Sequence, residues 1–254
     1  MSSKRSTFPW KEFLRSVAVI AIPIALQNLL TTTGSMVDTM MIAPLGELSV
    51  GAVGLCAQFS SLMFSGYWGF MGGGMLFFAQ YYGAKDDGGV NRAYGMTLLC
   101  MMADAVVFSA LALFFPEFVM RVYTDKPAIQ EIGVQYLRVV GFAYPLQVYA
   151  MAMSALLRTT DRVRIPLYGA IASVATNVFL NWVLIYGRFG LPAMGIQGAA
   201  LATVCAAGVN ALVILLMGKV QKHPYLFRVS RHFVWSKAFV SEYFHKCFPI
   251  LMNE

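Results

Sequence analysis

Charge is scarce in this sequence. Of 254 residues, only 12% are Asp, Glu, Lys or Arg, about half the share of roughly 25% that a water-soluble globular domain carries. A water-soluble surface of this size cannot be built from so few. Cysteine is scarce as well: Cys56, Cys100, Cys205 and Cys247 each lie in or beside an apolar run, with neither a disulfide framework nor a ligand spacing. The three histidines, His223, His232 and His245, cluster late in the chain without zinc spacing. Neither G-x-x-x-x-G-K-[ST] nor G-x-S-x-G occurs, so ATP-driven transport by this chain and a serine hydrolase both lack support. The chain is expected not to be an enzyme and to need no resident cofactor. What it has in abundance is apolar surface: 58% hydrophobic residues, 14% aromatics, 16 Met and a mean hydropathy of +0.64. These features exclude a soluble enzyme, a nucleic-acid module and a disordered linker, and they predict a polytopic membrane protein.

A spanning helix needs about 20 mostly apolar residues. Six runs qualify, near 17–43, 50–80, 93–115, 133–157, 166–186 and 195–217, and a seventh starts near Phe239. The basic N-terminus is followed by a long apolar run with no A-x-A cleavage site, so the first run is expected to remain in the mature protein. The 19 Lys and Arg are spread between the runs rather than gathered into a patch, which argues against a nucleic-acid partner and marks topology instead. Lys4, Arg5, Lys11 and Arg15 precede the first run; Lys85 and Arg92 follow the second; Arg158, Arg162 and Arg164 follow the fourth. Lys219, Lys222, Arg228, Arg231 and Lys237 follow the sixth. The opposite side holds Arg121 and Lys126, diluted by Glu117, Asp125 and Glu131, and then Arg188. The N-terminus is therefore expected in the cytoplasm, with six spans returning the chain inside.

Two stretches resemble each other. Trp10-Lys-Glu-Phe13 leads to Pro23-Ile-Ala-Leu-Gln-Asn28, and Trp235-Ser-Lys-Ala-Phe239 leads to Pro249-Ile-Leu-Met-Asn-Glu254. Such an internal repeat is common in transporters. It predicts that a second half opens near residue 235.

Ionisable residues inside apolar runs cost about 2.5–3.5 kcal/mol at a helix centre, so each needs a reason. Asp38 falls roughly 8 Å inside the outer end of the first helix. Asn177 and Asn181 share one face of the fifth run, roughly 9–15 Å inside the same end, and Thr203 lies roughly 12 Å inside on the sixth. Four polar side chains from three helices thus meet at one depth. A carboxylate among amide and hydroxyl oxygens can take a proton, a small hard cation or a cationic ligand. Taken singly, Asn177, Asn181 and Thr203 also fit interhelical hydrogen bonding. Asp104 reads as structural, or as lying near the inner interface of the third helix. Gly66, Gly69, Gly72, Gly73 and Gly74 form a small-residue stripe for close helix packing, and Pro145 predicts a bend. Tyr67, Trp68, Tyr144, Tyr149, Trp182 and the methionines are candidates for an adaptable pocket, though core and lipid-facing roles fit most of them.

Certain of these segments resemble a known family. Pro23-Ile-Ala-Leu-Gln27 with Met36-Val-Asp38-Thr39 through Pro44-Leu45-Gly46 is similar to the opening helix of the multidrug and toxic compound extrusion family, and Gln80-Tyr-Tyr-Gly83-Ala84-Lys85-Asp86 to its second-helix exit. Leu157-Arg-Thr-Thr-Asp161 with Pro166, Asn177-Val-Phe-Leu-Asn181 and Met194-Gly195 through Thr203 resemble later family segments. The resemblance implies an all-α integral membrane fold: six transmembrane helices plus the start of a seventh, forming one lobe of a two-lobe, V-shaped transporter. It divides the chain into a six-helix lobe at 1–218, a cytoplasmic inter-lobe loop at 219–238 and the truncated start of a second lobe at 239–254. It implies antiport of small cationic or amphipathic compounds against protons or sodium across the plasma (inner) membrane. The bilayer and a second lobe, on a longer chain or a partner chain, would be its partners.

In that scheme Asp38 binds the coupling cation, with Asn177, Asn181 and Thr203 beside it, and sodium at Asp38 is the metal it admits. Gln27 and Glu254 are candidates for a substrate or second-lobe site. Some family members carry a second acidic residue where this sequence has Asn181, so the choice of ion stays open. Two alternatives stand beside this reading: a non-transporting half-chain or gene fragment, and a lipid-linked oligosaccharide flippase of the same superfamily, which should line its cavity with Arg or Lys.

Overall fold

The computed structural model describes residues 10–227, 233 and 235–251. These form α1 (Trp10–Ile42), a short 3-10 turn (Ala43–Leu45), α2 (Glu47–Gly83), α3 (Asp87–Phe114), α4 (Pro116–Tyr123) and α5 (Pro127–Val140). The chain continues through α6 (Ala143–Thr159), α7 (Arg164–Tyr186), α8 (Gly195–Val220) and α9 (Lys237–Leu251). Helices α1, α2, α3, α7 and α8 are long and apolar enough to cross a membrane, and α5 with α6, bent by 51°, is long and apolar enough when taken as one span. The protein is a multi-pass membrane protein with the six expected spans.

The spans overrun the apolar runs at their ends because caps and turns, not hydropathy, stop them. Asp86 Oδ1 accepts the Gly89 amide at 2.9 Å and starts α3. Gly187, left-handed at φ +65°, ends α7, and the turn folds so tightly that a side chain there would meet the Ala193 backbone.

One expectation needs correction. The third connection is not all loop: Pro116 sits at the N-terminus of an amphipathic helix, α4, and the fourth span begins at Pro127 rather than 133, so Glu131 stands on a helix. The bend predicted at Pro145 in Gly141-Phe-Ala-Tyr-Pro-Leu-Gln147 falls one turn before the proline, between Val140 and Ala143. Proline lacks the N–H that would bond the carbonyl four residues back, and its ring crowds that carbonyl. Here that carbonyl is Gly141's, and Ser109 Oγ of α3 donates to it at 2.8 Å. The kink is stabilised from a neighbouring helix.

Between helices in lipid, association rests on close packing and hydrogen bonds rather than on exclusion of water. The glycine stripe of α2 serves this packing. Gly74 faces Thr97 of α3, and Gly73 faces Cys247 of α9, so closely that any side chain would collide. Tyr243 of α9 is fully buried, stacks on Phe77 and donates its hydroxyl to Thr97 Oγ1 at 2.9 Å. Helix α9 thus lies in the groove between α2 and α3. Three described residues before it bond to the N-terminal end of α3 and to the turn between α6 and α7. Tyr225 donates to Asp87 Oδ1 at 2.7 Å, Trp235 donates its indole N–H to the Arg92 carbonyl at 3.1 Å, and His223 lies 3.0 Å from the Thr160 hydroxyl.

Candidate functional site

Asp38 lies one turn from the C-terminal end of α1. Asn181 of α7 is fully buried behind it and donates its amide to Asp38 Oδ1 at 2.5 Å and to Asn177 Oδ1 at 3.2 Å. These contacts bring together three of the predicted residues. The fourth, Thr203 of α8, shares a cavity of about 430 Å³ with Asp38 and Asn177. Its hydroxyl donates to the Ala199 carbonyl at 3.1 Å, one turn toward the N-terminus of α8, and lies in hydrogen-bonding reach of the Tyr136 phenol of α5.

The cavity wall follows helical periodicity. Thr31, Ser35 and Asp38 of α1, Ser173 and Asn177 of α7, and Thr203 and Asn210 of α8 each recur at three-, four- or seven-residue steps. Phe64, Tyr67 and Trp68 of α2 and Met151 of α6 form the apolar side. Asp38 is the one charged residue of the lining, which contains no Lys or Arg. A cavity of this kind presents one negative charge, several neutral oxygens and an aromatic wall, a combination that can hold a small cation or one end of an amphipathic organic cation.

The remaining predicted residues fall elsewhere. Gln27 is buried one turn below Thr31, outside the cavity lining, and its side-chain oxygen accepts from Arg158 Nη2 of α6 at 2.9 Å. Glu254 lies outside the described residues. Of the aromatic candidates, Tyr67 and Trp68 line the cavity, whereas Tyr144 is a core residue bonded to Ser60 at 3.0 Å. Asp104, read from the sequence as structural or near the inner interface, stands mid-way along α3. Sequence reasoning missed Gln147, Ser173 and Asn210 as cavity residues. The signal was present, since each is a polar residue inside an apolar run at helical spacing from other cavity residues.

The sequence profile of the MatE family matches residues 23–183. This chain belongs to the MatE family. It is 30% identical over 214 residues to "Probable multidrug resistance protein YoeA" of Bacillus subtilis, covering 84% of this chain and 46% of that protein. It is 26% identical over 219 residues to "Probable multidrug resistance protein NorM" of Rhizobium meliloti, covering 86% of this chain and 46% of the relative. The chain therefore spans about half the length of the curated relatives it matches. Its fold is that of a crystal structure of MATE in the bent conformation, with TM-score 0.80 at 21% identity over 93% of this chain and 52% of that one. An outward-facing multidrug resistance MATE family transporter superposes equally well. The helices described above correspond to the N-terminal lobe of a MATE transporter.

Proposed function

We propose that this chain forms the cation-binding lobe of a secondary multidrug transporter, a carrier rather than an enzyme, that exports small cationic or amphipathic compounds in exchange for protons or sodium. The observation that carries this reading is the Asp38 carboxylate, held by Asn181 at the wall of a cavity whose lining has no positive charge. A cation bound at Asp38 cancels the cavity's one formal charge, and its differential affinity for two lobe conformations shifts the equilibrium between them. Cation and drug exchange when each favours a different conformation. The names of the MatE relatives, multidrug resistance proteins, support the cargo class. A lipid-linked oligosaccharide flippase, which handles a large anionic cargo, is disfavoured by the absence of Arg and Lys from the lining.

The basic residues at the inner ends of the helices support a cytoplasmic N-terminus in the plasma (inner) membrane. Alternating access needs a second lobe facing this one, from a longer gene product or a partner chain. The test uses everted membrane vesicles from cells expressing the native gene, loaded with acid or with sodium. Ethidium should accumulate under one of the two gradients. No accumulation above that of vesicles from cells lacking the gene, under either gradient, would favour a non-transporting half-chain.

A further inference from the structure

Asp104 has no place in the mechanism above. It stands ten residues from Phe114 and seventeen from Asp87 on α3, so roughly 15 Å of helix separates it from the nearer end. It faces α2 at Gly66, where a methyl group would come within 2.9 Å of its Oδ1, so the carboxyl fits there because position 66 has no side chain. Its Oδ2 is buried and has no hydrogen-bond partner among the described residues. None of the ion pairs among those residues includes it. An uncompensated carboxylate at this depth is costly, and three ways of compensating it are conceivable: a cationic side chain, a metal ion or a proton.

The neighbouring helices decide among these. The titratable group beside Asp104 from α2 is the Tyr67 phenol, and Cys100 lies one turn toward the N-terminus of α3. On the helices packed around α3, Glu47, Glu117, Arg121 and Glu131 lie near the end away from the α2–α3 turn; Arg138 pairs with Glu117, and Arg158 bonds Gln27. On α9, Lys246 pairs with Glu242 at 2.7 Å, His245 is exposed and Cys247 faces Gly73. No basic side chain among the described residues pairs with Asp104. A hard cation needs several oxygen ligands, and no cluster of three His, Cys, Asp or Glu exists among the described residues. The proton remains.

We propose that Asp104 is a second proton-binding carboxylate of this lobe, seated on the α2–α3 seam and separated from the Asp38 cavity by the Gly66–Tyr67 step of α2. Tyr67 borders both sites, since it lines the cavity and lies in the electrostatic field of Asp104. Release of the proton charges the seam within the apolar layer, so the packing of α2 on α3 acquires a pH dependence that Asp38 does not set. The role proposed for Asp38 is not needed for this.

Dicyclohexylcarbodiimide is a lipid-soluble reagent that adds to a neutral carboxylic acid and not to a carboxylate. It is applied to the native gene product in its membrane, both wild type and Asp38→Asn, and the modified peptides are identified by mass spectrometry. The expected result is an N-acylurea adduct on Asp104 in both proteins, at least about tenfold more abundant near pH 6 than near pH 9. Loss of the adduct in Asp104→Asn fixes the site. An unmodified Asp104 near pH 6, or modification that does not change with pH, would overturn the proposal. If Asp104 is modified as expected while Asp38→Asn leaves drug transport intact, the function proposed for Asp38 fails and this one stands.

Discussion

Asn181 has no contact with the cavity lumen, yet it fixes the one charge the cavity presents. It is fully buried, and its amide donors serve Asp38 and Asn177 together. Replacing it with alanine leaves a half-buried carboxylate without its donor, a loss of about 2 kcal/mol for a hydrogen bond to a charged group. Asn181→Ala should therefore melt several degrees lower than wild type in detergent. Part of the loss should be recovered when the coupling cation is added, because the cation replaces the missing partner. Equal melting temperatures with and without the substitution would show that the Asn181 contact carries little energy. At this scale the site was largely legible in the sequence. Polar residues in apolar runs are few, and counting helical rise from the nearest turn placed Asp38, Asn177, Asn181 and Thr203 at a common depth. Asn210 and Gln147 were harder to place. Inside a membrane the lipid-facing and protein-facing sides are both apolar, so no amphipathic pattern tells which way a lone amide points.

At the scale of helices, the bend between α5 and α6 depends on a partner that the sequence does not reveal. Pro145 removes the N–H due to Gly141, but the acceptor is relieved by Ser109, 32 residues earlier. Ser109→Ala leaves that carbonyl unpaired in an apolar setting and should destabilise the lobe by about 1–3 kcal/mol, seen as a lower melting temperature. Ser109→Thr, which keeps the hydroxyl, should lose less. If the two variants melt alike, the hydroxyl is not what stabilises the bend.

The end of the bundle that holds His223 offers a separate, pH-dependent test. Burial, with help from the charge of Arg162, pushes the His223 imidazole down to about 4 from its ordinary 6.5. The folded protein keeps the ring neutral while the unfolded chain protonates near 6.5, so the unfolded state binds more protons between those values. Stability should fall as pH drops from about 6.5 to about 4, and His223→Gln should flatten that slope. Matching slopes in the two proteins would remove His223 from the acid response. The sequence contained His223 but not its surroundings. The sequence reads 219–238 as a basic connecting loop, and of its described residues Tyr225, His223 and Trp235 bond to α3 and to the turn between α6 and α7.

For the whole molecule, the lobe was legible because the bilayer imposes few solutions. Apolar runs of spanning length had to be helices, the basic residues sorted into alternating connections, and the six-span bundle followed. The geometry between helices was not legible, since it depends on small contacts such as Gly73 against Cys247 and Gly66 against Asp104. The cavity arises from that geometry, because its wall draws on α1, α2, α6, α7 and α8.

The most direct test of the central claim is the cation dependence of ethidium transport by the native gene product carrying Asp38→Asn, measured under the same acid and sodium gradients as wild type at matched expression. Neutralising Asp38 should reduce gradient-driven accumulation by about tenfold or more, the scale of a coupling free energy of 1–3 kcal/mol. Transport by Asp38→Asn that matches wild type in rate and in response to the gradient would contradict the account, since the cavity's one carboxylate would then play no part in coupling.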